Sequence, residues 1–169
     1  MTASYDQSVR FWDMRSRSFE AIQVIKAFKD SVTSVAITEN PYILASSVDG
    51  TIRRLDPRAG SIVCDDVHVP VTCVRAAADG TFFVGACTDG VVRLLDKSSG
   101  DVLARYRGHV HTGYQVECGL MFGDAVVVAG SEDGTLPCEE TCTQVLHTAR
   151  SLWKWQHVRI NIFKERHNR

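Results

Sequence analysis

The chain has 169 residues, 44% of them hydrophobic, and a formal net charge of −1. That length suits one ordinary domain with a real core, and the balanced charge gives no global pull toward nucleic acid or an acidic membrane. No stretch approaches the roughly 20 apolar residues of a membrane helix, and the first ten residues lack the apolar run of a secretory signal, so the expected compartments are cytoplasm and nucleus.

A repeated block organises the chain. Asp6-Gln-Ser-Val-Arg-Phe-Trp-Asp13 matches Asp49-Gly-Thr-Ile-Arg-Arg-Leu-Asp56 and Asp89-Gly-Val-Val-Arg-Leu-Leu-Asp96, and a fourth copy begins at Asp133-Gly-Thr-Leu136. The period is about 40–45 residues, that of a four-stranded blade. Asp-Gly signals a tight turn, and β-branched residues such as Thr51, Ile52, Val91 and Val92 suit the strand leaving it. Apolar runs before the turns, at 42–45, 82–86 and 125–129, predict strands buried on both faces. Further strands are predicted at 32–37, 71–76 and 115–120. Gly60 and Gly100 mark the next hairpins. The blocks therefore predict two complete units, 32–66 and 71–106, flanked by half units.

After Leu136 the pattern breaks. Pro137 stands where the block has Arg, and proline cannot donate to a central ladder. Residues 139–156 carry Val145, Ala149, Leu152, Trp153 and Gln156 at helical spacing, which predicts an amphipathic helix, with a disordered tail as the alternative. Farther on, Arg150, Lys154, Arg159, Lys164, Arg166 and Arg169 interleave with Trp153 and Trp155. Such a pattern can bind single strands of nucleic acid, but a solvated basic tail is the plainer reading. Cys138, Cys142, His147 and His157 lack the tight, regular pairing of structural zinc sites, so no metal and no cofactor are expected. The six cysteines are expected reduced, with Cys73, Cys87 and Cys118 as small buried hydrophobes.

Trp12-Asp13, Gly108-His109 and the recurring Ser/Thr-x-Asp block resemble the WD-repeat family. The resemblance implies an all-β partial β-propeller over 1–136, two complete four-stranded blades plus two half blades, and a non-propeller C-terminal tail over 137–169. Complete members are longer, so the chain is expected to be a truncated form; a non-functional isoform is one reading of it. In the family a His, a Ser or Thr, the turn Asp and a Trp form a buried network. Carried over, the resemblance assigns Ser4, Asp6 and Trp12 to the first blade, Ser47 and Asp49 to the second, Asp89 to the third, and His109, Ser131 and Asp133 to the fourth. Leu55 and Leu95 replace the Trp in the middle blades.

The family's exposed positions before each turn Asp fall on Tyr5, Val48, Thr88 and Glu132, the candidate partner-binding residues. Arg54, Arg75 and Tyr114 are lesser candidates. No Gly-rich phosphate loop or nucleophile motif is present, and the repeated aspartates stand one per blade, so a non-catalytic scaffold is expected, without small-molecule substrate or membrane. Stretches 2–10, 48–54, 94–97 and 106–109 narrow the likeness to WD-repeat scaffolds with two kinds of protein partner. These are components of the extracellular-signal-regulated kinase cascade and spliceosomal proteins.

Overall fold

The computed structural model describes residues 1–38, 42–111, 113, 115–140 and 160–162. Among them are fifteen strands and no helix, arranged in four sheets. The first sheet has three strands, β1 (Thr2–Ala3), β2 (Val9–Phe11) and β3 (Gln23–Ile25). The second is an antiparallel meander of β4 (Val32–Ile37), β5 (Ile43–Ser47), β6 (Thr51–Asp56) and β7 (Ser61–Asp66). The third repeats it with β8 (Val71–Ala76), β9 (Phe82–Cys87), β10 (Val91–Asp96) and β11 (Val102–Arg107). The fourth joins β12 (Cys118–Met121), β13 (Val126–Ala129), β14 (Leu136–Glu140) and β15 (Ile160–Ile162). These are the successive blades of a partial β-propeller.

The continuous apolar runs are explained by burial on both faces, because side chains alternate along a strand. On β5, Ile43 and Ala45 pack with Val9 and Phe28 toward the first blade, while Leu44 packs with Phe83 and Val74 toward the third. On β9, Phe83 and Cys87 face the second blade, and Val84 and Ala86 face Cys118 and Val127 of the fourth. The three larger clusters therefore lie between blades, as in other stacked repeats, while a small one, Val126 and Val128 with Leu136, lies within the fourth blade.

Gly85 is the one residue of β9 whose missing side chain is needed for that packing. A Cβ there would lie 2.9 Å from Ile52 Cδ1 and 3.5 Å from Val71 Cγ1. Gly85→Val is expected to lower stability by about 1–3 kcal/mol through overpacking, read as a lower urea midpoint. Gly85→Val combined with Ile52→Val should recover part of the loss.

Polar bonds stitch the inner strands together. Thr33 Oγ1 donates to the Val71 carbonyl of the next blade at 2.7 Å, and Thr72 Oγ1 donates to the Val116 carbonyl of the blade after that at 3.1 Å. Gln115 Nε2 reaches the carbonyls of Thr33 (3.3 Å) and Thr72 (3.4 Å). This ladder fixes each blade against the next, and with it the loops at the blade ends.

The terminal sheets extend beyond the repeat blocks. Strand β14 crosses residue 137, and Glu139 and Glu140, expected to open a helix, lie in it instead. Cys138, Glu139 and Glu140 pair with Val128, Val127 and Val126, while Pro137 has no partner on β13. Proline is tolerated there because it lies outside the antiparallel register. Strand β15 then adds in parallel to β14. The rest of the expected helix, the basic tail, Cys142, His147 and His157 lie outside the described residues.

Candidate protein-binding rim

The repeated block is a turn built around one carboxylate. Asp49 Oδ1 accepts from Thr51 N (3.0 Å) and Thr51 Oγ1 (2.6 Å), and Asp133 Oδ1 accepts from Thr135 N (2.9 Å) and Thr135 Oγ1 (2.6 Å). Asp6 accepts from Ser8 N (3.2 Å) and Ser8 Oγ (2.5 Å), and Asp89 from Val91 N (3.2 Å). The arginine four residues on closes the clamp. Arg93 is bidentate on Asp89 at 3.0 and 2.6 Å, Arg53 reaches Asp49 at 3.3 Å, and Arg10 pairs with Asp6. The fourth turn has Pro137 in place of that arginine. The second turn position takes a left-handed backbone: Gly50, Gly90 and Gly134 supply it, and in the first blade Gln7 adopts it at φ 67°, a conformation that costs a side-chain-bearing residue roughly 1–2 kcal/mol.

These bonds hold the turn carboxyls ionised. For Asp89 the Arg93 guanidinium is the largest influence, and it sets the carboxyl below its ordinary value. For Asp49, burial pushes upward, but the Thr51 hydroxyl, two backbone N–H groups and Arg53 together outweigh it, and the net shift is downward. A depressed carboxyl contributes stability that is complete above its unfolded value of about 3.9 and is lost as pH falls through the lower folded value. The turn carboxyls' contribution to the urea midpoint is expected to hold steady from about pH 7 to 5 and to drop below about pH 4. His109, whose lowered pKa makes its protonation unfavourable in the folded chain, lowers the midpoint as pH falls below about 6.5. Asp49→Asn should lower the midpoint at pH 7 and flatten the acid drop.

Of the buried network that the resemblance assigned, the serines do meet the turn aspartates, but the Trp12 bond goes elsewhere. Trp12 Nε1 donates to Thr2 Oγ1 at 3.0 Å, across the β1–β2 pair, rather than to Ser4. Ser4 Oγ accepts from Asp6 N at 3.3 Å, and Ser47 Oγ accepts from Asp49 N at 3.1 Å; both brace the turn. Ser131 Oγ accepts from Val110 N at 2.9 Å. His109 is buried, and its Nε2 has no hydrogen-bond partner among the described residues. It senses Asp89 of the preceding blade; burial, then the neighbouring His111, lowers its pKa, with Asp89 opposing. Thr2 is the residue that sequence reasoning missed. It lies four positions before its turn Asp, where the other blades have Ala45, Gly85 and Ala129, so only the first blade keeps the Trp bond.

The four candidate partner-binding residues occupy equivalent places at one end of the blades. Val48 N donates to Ser31 O (3.0 Å), Thr88 N to Pro70 O (3.0 Å) and Glu132 N to Val110 O (2.9 Å). The same backbone tether thus holds each to the loop entering its own blade. Tyr5 flanks the corresponding turn of the first blade and is 88% exposed, and Val48 is 39% exposed. Thr88 and Glu132 are half-buried. Glu132 Oε1 also accepts from Gly113 N at 3.0 Å, bracing its loop.

The lesser candidates are elsewhere. Arg54 is buried and paired with Asp65 at 2.8 Å. Arg75 is half-buried; it bonds Ser34 Oγ at 3.3 Å and faces Glu117 at 3.6 Å, so it links three inner strands. Tyr114 lies outside the described residues. At the opposite end of the blades a cleft of about 550 Å³ opens between the second and third, with Lys97 stacked over the Tyr42 ring at 4.6 Å.

Comparison with known proteins agrees with this architecture. The WD domain, G-beta repeat family matches residues 19–54 and 62–96. WD repeat domain-containing protein 83 of Rattus norvegicus is 41% identical over 120 residues, covering 71% of this chain and 38% of the relative. The Dictyostelium discoideum homolog of that protein is 30% identical over 159 residues, covering 78% and 49%. An uncharacterized WD repeat-containing protein of Schizosaccharomyces pombe is 37% identical over 120 residues, covering 71% and 40%. The chain spans less than half the length of these relatives. With two segments matching the family model and these relatives covering 71–78% of its length at 30–41% identity, the chain belongs to the WD40-repeat family.

Proposed function

We propose that this chain is a non-catalytic scaffold that binds proteins through the rim carrying Tyr5, Val48, Thr88 and Glu132. The observation that carries the proposal is the equivalent placement of these residues beside stiff, clamped turns, with Tyr5 almost fully exposed. Loops held on a rigid frame are where binding residues concentrate, and tyrosine is a frequent interface hot spot. WD40 repeats mediate protein–protein interactions, and the matched family is not a catalytic one. The partners we assign are components of the extracellular-signal-regulated kinase cascade, on the strength of the likeness over 2–10, 48–54, 94–97 and 106–109. The proposed compartments are cytoplasm and nucleus.

Affinity capture of the tagged chain from cells, with partners identified by mass spectrometry, tests the assignment. Recovery of kinases of that cascade, diminished by Tyr5→Ala, is the expected result. Recovery of spliceosomal proteins without kinases would replace the signalling role by one in pre-mRNA splicing. Equal recovery of kinases with Tyr5→Ala would remove the rim assignment.

A further inference from the structure

We propose that Cys73 and Cys118 form a redox pair, which a peroxide converts into a disulfide across the junction of the third and fourth blades. Cys73 lies on β8 and Cys118 on β12, the inner strands of successive blades. Cys73 Sγ donates to the Cys118 carbonyl at 3.8 Å, and Cys118 Sγ donates to the Cys73 carbonyl at 4.0 Å. Each thiol therefore lies over the other's peptide, inside one cluster with Val84, Ala86 and Val127, and they are 1% and 5% exposed. Both are free in the resting chain. Each sulfur lying within 4.0 Å of the other residue's carbonyl places the two side chains on facing strands side by side, the arrangement from which a disulfide can close.

The two sulfurs are not equivalent. The bond from the Cys118 thiol, helped by Arg75 and opposed by burial, lowers Cys73 to about 6, while the same contact and burial raise Cys118. The direction of these shifts assigns Cys73, once it has given up its proton, as the attacking sulfur and Cys118 as the resolving one. The Cys73 sulfur attacks one oxygen of hydrogen peroxide; the O–O bond breaks, hydroxide leaves, and Cys73 becomes a sulfenic acid. The Cys118 sulfur then attacks the Cys73 sulfur, the S–OH bond breaks, and the hydroxyl leaves as water with the Cys118 proton. Two thiols are oxidised by two electrons, and the peroxide is reduced to water. Two further cysteines serve as internal comparisons: Cys64 is exposed, and burial pushes the Cys87 thiol up to about 11. A cross-link closing a loop of this length constrains the unfolded chain.

Hydrogen peroxide treatment of the full chain, followed by peptide mapping, tests the pair. The expected product is a linked Cys73–Cys118 peptide that dithiothreitol reverses, together with a higher urea midpoint. In Cys118→Ser the expected product is a sulfenic acid on Cys73, trapped by dimedone, and in Cys73→Ser dimedone leaves Cys118 unlabelled. Cys118→Ala, an apolar replacement of similar size, repeats the trapping if the serine variant loses its near-ultraviolet circular dichroism. The proposal is overturned if Cys73 and Cys118 keep free thiols after Cys64 is oxidised, or if dimedone labels Cys118 in preference to Cys73.

Discussion

Asp65→Ala is expected to destabilise the chain by about 3–5 kcal/mol, the cost of leaving a buried arginine without its counter-charge. Arg54 and Asp65 meet at 2.8 Å with side chains 10% and 7% exposed. Their strands pair with Arg54 opposite Val63 and Asp65 opposite Ile52, so the two charges are diagonal neighbours on the face toward the third blade. The turn at Gly100 closes over the carboxylate and keeps water out. Burial raises Asp65 above its ordinary value, and Arg54 only partly offsets this. Taking two charges out of water can cost as much as their attraction returns, so a buried pair is weak evidence of net stability. Replacing both groups, as Arg54→Met with Asp65→Leu, should recover most of what Asp65→Ala loses. Urea midpoints of the single and double variants measure both effects, and equal losses in the two would contradict this reading of the pair.

Phe83→Ala carries the second large effect, about 3–5 kcal/mol. Phe83 is 1% exposed and sits with Leu44 and Ile52 of the second blade and Val71, Val74 and Leu95 of the third. Its ring fills the seam between blades, where both strand faces are already committed and the backbone cannot close in. Against a typical total stability of about 5–15 kcal/mol, the loss is a large fraction, and it should appear in the urea midpoint. Phe83→Leu, which keeps most of the volume, should cost less than about 1.5 kcal/mol.

The blades were legible because two signals coincide. Asp-Gly turns fix where strands reverse, and runs such as 82–86 are apolar on consecutive residues because neighbours lie on both faces. The two middle blades accordingly run as the blocks predict. The rest needed distances. Ser4 and Ser47 have the Ser-x-Asp spacing, yet they serve the turn; the Trp12 bond falls to Thr2, which only strand pairing brings opposite. Arg54 read as a surface charge because its partner is eleven residues away on another strand. Pro137 read as a strand breaker, while the ladder simply begins one residue later. The rim positions were legible as loci one residue before each turn Asp, but not their exposure: Glu132 is tied to its own loop, whereas Tyr5 stands clear.

The clamped turns are proposed to present one protein-binding rim. Titration of a captured kinase partner against the purified chain, by calorimetry, tests it most directly when the wild type is compared with Tyr5→Ala and Val48→Ala together. A loss of affinity of roughly tenfold or more is expected, since hot-spot residues contribute about 2 kcal/mol or more each, with at most a small shift of the urea midpoint, because Tyr5 is almost fully exposed and Val48 lies at the surface. An unchanged affinity would contradict it and move the binding surface off this rim.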